Sequence, residues 1–175
     1  MTTDNRASVT QEWVLLSYRM PREPSTPRIA VWRKLDRLGV ARLGDGLVAL
    51  PADARTREQL EWLADEIVEK GGSAMVWLGR PASVRQERDL AETMAAARTA
   101  EYAAMTADAA AAAEEVPSMR AAALRRLRGE LRRITRRDYF PPPARDAAEA
   151  AVAALASATA PGPGMTSAMS QRTTA

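Results

Sequence analysis

The sequence predicts an α+β fold, and three observations predict it. Short apolar runs that read as strands lie at residues 12–18, 40–43, 47–50 and 73–78. Two stretches with helical spacing alternate with them. From residue 83 onward the chain becomes rich in alanine and leucine and has no further strand-like run. In order, residues 12–80 give β-α-β-β-α-β, the ferredoxin-like order, in which four antiparallel strands carry two helices on one face. A helical extension follows over 81–158, made of a hairpin at 83–139 and a short helix at 145–157. Residues 1–11 and 159–175 have the composition of disorder.

Each element has its own chemical signal. EWVLLSY at 12–18 is apolar and bounded by polar residues, as a buried strand requires. Ser25 or Thr26 can cap the next helix, Pro27 suits its first turn, and Gly39 ends it. Ile29, Val31, Trp32, Leu35 and Leu38 supply its apolar face. Gly44-Asp45-Gly46 between two apolar runs reads as a hairpin turn rather than a phosphate loop. Thr56 with Gln59 forms a capping box for a helix whose inward residues are Leu60, Leu63, Ala64, Ile67 and Val68. Gly71-Gly72 ends it before the strand SAMVWL. In the extension, Leu124, Leu127, Leu131 and Ile134 follow a 3-4-3 spacing, which is a packing seam. Pro117 breaks the extension into two helices, and PPP at 141–143 ends the second. All four tryptophans fall inside strands or helices and read as core.

Composition removes whole classes of chemistry. The chain has no cysteine and no histidine, so disulfides, thiol nucleophiles, the usual zinc ligands and imidazole acid–base catalysis are absent. No enzyme, no metal and no cofactor is expected. No apolar run approaches the roughly 20 residues that span a bilayer, so a soluble, cytoplasmic protein without a membrane partner is expected. The charge is uneven. Residues 1–117 hold 15 basic and 18 acidic residues, whereas 118–175 hold 10 and 4. The positive charge is therefore concentrated in the second half.

Two segments can use it. RMPREPSTPR at 19–28 places Arg19, Arg22 and Arg28 around the start of a helix, where N–H groups and the dipole favour an anion. Guanidinium forks there can hold a small oxyanion such as phosphate. The alternative is a proline-stiffened turn with solvated arginines. The second segment, ALRRLRGELRRITRRDYF, is denser. Residues 118–139 hold eight arginines against Glu130 and Asp138. With the leucines inward, Arg125, Arg128, Arg132, Arg133, Arg136 and Arg137 face outward and can meet successive DNA phosphates. The alternative is a solvated helix whose arginines pair with Glu87, Asp89, Glu92, Glu101 and Asp108 of the preceding helix.

WVLLSYRMPREPSTPRIAVWRKLDRLGVARLGDGLVALPADARTREQLEWLADEI resembles the N-terminal domain of the chromate-resistance regulator family ChrB. The shared features are the strand entering a proline-rich turn, a Trp-Arg-x-Leu helix, a Gly-Asp-Gly hairpin with Leu-Pro after it, and a helix before Gly-Gly. AEYAAM and LRRLRGELRRITRRDYFPPP resemble later helices of that family. The resemblance covers roughly residues 12–145 and implies a bacterial transcriptional regulator of chromate resistance that responds to the oxyanion. Members continue into a second domain, so sensing carried there is not expected of these residues. The fold is also similar to the middle domain of the PaaX repressors and to small CRISPR-associated nucleases. Those nucleases end their first strand in a carboxylate; here Ser17-Tyr18 stands there, which does not support nuclease activity.

Two functions therefore stand beside each other. One is a DNA-binding regulator, expected to be a homodimer. The other is an accessory module that binds chromate or another oxyanion without binding DNA.

Overall fold

The computed structural model describes residues 11–160. Its elements are β1 (Trp13–Arg19), α1 (Ser25–Leu38), β2 (Ala41–Gly44), β3 (Leu47–Pro51), α2 (Ala54–Glu69), β4 (Ser73–Gly79), α3 (Val84–Ala113), α4 (Pro117–Thr135) and α5 (Ala144–Thr159). The fold is mixed α+β, with one four-stranded antiparallel sheet and five helices. The termini expected to be disordered lie outside the described residues, except residues 11, 159 and 160, and Thr159 still belongs to α5. The chain divides into two compact units. The first runs to Arg98 and includes Arg137–Pro142; the second comprises Thr99–Arg136 and the residues from Pro143 onward.

In the first unit the strands lie in the order β2-β3-β1-β4. β1 is central, with Leu15 opposite Ala49 on β3 and opposite Trp77 on β4. Alternation along a strand sends successive side chains to opposite faces. Val14, Leu16, Val48 and Leu50 share one core with Val31 and Leu35 of α1 and with Leu60, Leu63 and Ile67 of α2. Trp13 points to the other face, where its buried ring stacks on Phe140 with centroids 6.0 Å apart. Next to it, the Tyr139 hydroxyl donates to the Leu38 carbonyl at 3.2 Å. The Arg55 guanidinium lies 5.8 Å from the Tyr139 ring, and burial raises the phenol pKa.

Local details correct four expectations. Of the tryptophans, only Trp13 is core; Trp32, Trp62 and Trp77 are 51%, 68% and 52% exposed. On α1, only Val31 and Leu35 are buried, and Ile29 and Trp32 lie on an adjacent, open side of the helix. The α1 cap residue is Pro24, and neither Ser25 nor Thr26 caps the helix through its side chain. The α2 box sits three residues earlier than the sequence suggests. Asp53 is the cap, its carboxylate accepts from Thr56 N–H at 2.7 Å, and Thr56 Oγ1 accepts from Asp53 N–H at 2.9 Å. Thr56, wholly buried, also donates to the Pro51 carbonyl at 2.7 Å, which ties the helix start to the end of β3.

The second unit is a set of three helices rather than a two-helix hairpin with an appendage. Tyr102, Met105, Ala109 and Ala112 of α3 join Leu124, Leu127 and Ile134 of α4 in one core. Ala148, Val152 and Leu155 of α5 complete it. The leucine seam thus packs as its spacing predicts, with Leu131 half-buried beside it. Small alanines on α3 allow neighbouring helices to approach closely.

Candidate functional site

The first candidate is built where β1 ends and α1 begins. Arg19 closes β1, Arg22 sits in the connecting turn and Arg28 stands in the first turn of α1. The turn between β2 and β3 approaches the same place. Tyr18 N–H donates to the Gly46 carbonyl at 2.7 Å. Gly46 has φ of 74°, and a Cβ there would lie 2.2 Å from the Tyr18 carbonyl oxygen, so only glycine fits this approach. The result is an open cleft of about 870 Å³ lined by the side chains Arg19, Arg22, Arg28, Trp32 and Asp45, together with Tyr18, Met20, Ile29 and Gly46. The structure thus brings together the three arginines that the sequence placed around this turn. Among the described residues, none of the three has a carboxylate partner.

Two contributors to this cleft are not evident from the sequence. The sequence pattern places Trp32 in the core and Asp45 in a plain hairpin turn. A signal for Trp32 was present, because Arg28, Ile29 and Trp32 stand at i, i+1 and i+4 on α1 and so share one side of the helix. Arg42, which does not line the cleft, holds its guanidinium 5.4 Å from the Trp32 ring centroid and braces the indole.

The second candidate is the outer face of α4. At 100° per residue, Arg125, Arg128, Arg132 and Arg133 fall within an arc of about 140°, opposite the leucine seam. All four are exposed and make no ion pair among the described residues. The stretch from Arg125 to Arg133 is about 12 Å long. Arg136, the C-cap residue, continues the row. Gly129 lies in the middle of this face, and a Cβ on it would come 3.6 Å from Arg133 Nη1 and 3.9 Å from Arg132 Nη2. Arg137 departs from the row. It belongs to the first unit, is half-buried, and donates from Nη1 to the Asp36 carbonyl at 3.4 Å. Of the acidic residues expected to neutralise this helix, Asp108 takes an arginine of α4, namely Arg126 at 3.0 Å. Glu87 instead accepts from the backbone N–H of Gln11 at 2.9 Å.

A family model described as "Protein ChrB, N-terminal" matches residues 28–161. The chain belongs to this family. No curated protein and no solved structure matches it. The ChrB N-terminal match begins at Arg28, so it takes in α1 from that residue onward and all of α4, whereas β1, Arg19 and Arg22 precede it. Membership of the ChrB N-terminal family links the chain to chromate resistance. Among the described residues, no helix is long and apolar enough to cross a membrane, and no group of three or more acidic residues is placed to hold a metal ion.

Proposed function

We propose that this chain is a transcriptional regulator of chromate resistance that binds DNA through the arginine face of α4. The observation that carries this reading is the set of four arginines, Arg125, Arg128, Arg132 and Arg133, exposed and without carboxylate partners, opposite a buried seam. A helix that used its arginines for internal pairing would not leave four of them unmatched on one side. At about 3.4 Å of axis per phosphate on one strand, a 12 Å row spans three or four phosphates. Counterion release from such contacts supplies affinity without base reading, so binding weakens steeply with salt.

The test is a salt titration of binding to duplex promoter DNA. Four phosphate contacts give a log–log slope contribution of about −3.6 per protomer. Replacing the four arginines with glutamine removes that contribution, and an unchanged slope would refute the assignment of this helix.

The sheet unit is read as ferredoxin-like, supported by its β-α-β-β-α-β order and the strand order β2-β3-β1-β4. A second reading, an oxyanion-binding module, draws support from the cleft that gathers Arg19, Arg22 and Arg28. It requires chromate or sulfate to protect the protein against thermal unfolding, with protection lost in an Arg19→Gln, Arg22→Gln variant. No protection at millimolar anion would remove it.

A further inference from the structure

We propose that the cleft at the junction of β1 and α1 binds a nucleoside phosphate, with the base stacked on Trp32 and the phosphate held by Arg19, Arg22 and Arg28. The proposal rests on the same cleft as the oxyanion reading but assigns a different ligand, and it is independent of α4. Three features of the cleft separate the two ligands.

The first is size. A volume of about 870 Å³ lies in the range of sites that enclose ligands of many heavy atoms. A tetrahedral oxyanion of five atoms would leave most of it to water. The second is the indole. Trp32 is about half exposed within the lining, and Arg42 braces its ring by a cation–π contact. A solvent-facing aromatic surface beside guanidiniums matches a flat base attached to a phosphate, because every base offers a π-face for stacking. A bare oxyanion makes no use of it. The third is Asp45, the one carboxylate of the lining. It repels a small anion, but it can accept a hydrogen bond from a ribose hydroxyl or an exocyclic amine. The three guanidiniums still outnumber it, and none of them is tied to another carboxylate among the described residues.

The source of such a ligand can be a free nucleotide or one nucleotide of a single strand, and both present the same chemistry. The experiment uses the full chain and measures binding by calorimetry and tryptophan quenching with three probes. These are adenosine 5′-monophosphate, inorganic phosphate and a short single-stranded oligonucleotide.

The nucleotide is expected to bind at least about tenfold more tightly than inorganic phosphate and to quench fluorescence, as a stacked base does. Trp32→Ala is expected to lower nucleotide affinity about tenfold while Trp32→Phe retains most of it. Arg22→Gln is expected to weaken both nucleotide and phosphate. Because Trp32 and Arg22 are exposed, these variants should fold, and unchanged thermal unfolding verifies that. In the variant with Arg125, Arg128, Arg132 and Arg133 changed to glutamine, which removes strand binding by α4, a strand that binds more tightly than the mononucleotide identifies nucleic acid as the source; equal binding identifies the free nucleotide.

Phosphate binding as tight as the nucleotide, or nucleotide affinity unmoved by Trp32→Ala, overturns the proposal, as does no nucleotide binding at millimolar concentration. The variant with Arg125, Arg128, Arg132 and Arg133 changed to glutamine keeps nucleotide binding if the cleft is the site. Failure of the α4 reading is thereby distinguished from failure of this one.

Discussion

Arg126 Nη2 donates to Asp108 Oδ2 at 3.0 Å, and its Nη1 lies 3.5 Å from Glu130 Oε2. One arginine of α4 is thus drawn between two carboxylates, while Arg125 and Arg128 on either side of it in sequence have none. Pairing at this helix is selective. The carboxylates stand at the border of the arginine face and leave its middle charged.

Asp108→Asn should leave Arg126 with Glu130 alone of its two carboxylates and let it turn towards the arginine face. Both partners are exposed, so the lost ion pair costs at most about 1 kcal/mol of stability. If Arg126 then reaches a phosphate, the salt slope of DNA binding steepens by about 0.9. Binding titrations at several salt concentrations measure this. A slope shallower than that of the wild type would show that Asp108 supports the binding face instead of limiting it.

Gly129→Ala should stabilise the protein by about 0.5–1 kcal/mol, because glycine inside a helix pays more backbone entropy than alanine. The new methyl group meets only the ends of Arg132 and Arg133, at ordinary contact distances of 3.9 and 3.6 Å. Urea unfolding measures the gain. The salt slope should not move, since no charge changes.

The buried seam Leu124-Leu127-Leu131-Ile134 was readable because helical periodicity and burial follow the same spacing. The strand and helix order was readable for a similar reason: Pro, Gly and capping residues punctuate each element locally. Trp32 and Trp77 were misread because periodicity says that a residue is apolar, not that anything covers it. The sheet core takes Val31 and Leu35 from α1, and Trp32 falls one step round the helix, beyond that core. Trp77 lies on edge strand β4 and alternates outward, its indole N–H donating to Ser17 Oγ at 3.0 Å. Asp45 was readable as a turn residue, but its share in the cleft depends on Gly46 meeting Tyr18, a contact between residues distant in sequence. Arg137 is indistinguishable from its neighbours in composition, and only the end of α4 at Thr135 separates it from them.

Thr56→Val should lose about 1–3 kcal/mol. The change keeps the volume but removes the hydroxyl that accepts from Asp53 N–H and donates to the Pro51 carbonyl. Buried groups left without a partner cost more than the net value of the bond itself. Thr56→Ser, which keeps the hydroxyl, should retain most of the box. Denaturant unfolding of the two variants, compared with the wild type, separates the loss of hydrogen bonds from the loss of a methyl group.

Glu66 carries the clearest pH dependence in the sheet unit. Both lysines of the chain, Lys34 on α1 and Lys70 just past α2, pair with its carboxylate. Their hydrogen bonds, Lys34 first, hold the Glu66 pKa below the ordinary carboxylate value. A carboxylate with a depressed folded pKa adds stability above its unfolded pKa, about 4.3, and loses that stability as pH falls through the folded value. Glu66→Gln should therefore be less stable than the wild type at pH 7, by about 1 kcal/mol for two partly exposed pairs. The gap between the two proteins should narrow as pH falls below the unfolded pKa and close once pH has fallen through the lower folded value, where the wild-type carboxyl is protonated too. Urea unfolding at pH 7, 5 and 3.5 measures the gap, and high salt should narrow it at pH 7. A gap that stayed constant down to pH 3.5 would mean that the side chain stabilises through packing, and that the two lysines contribute nothing through charge.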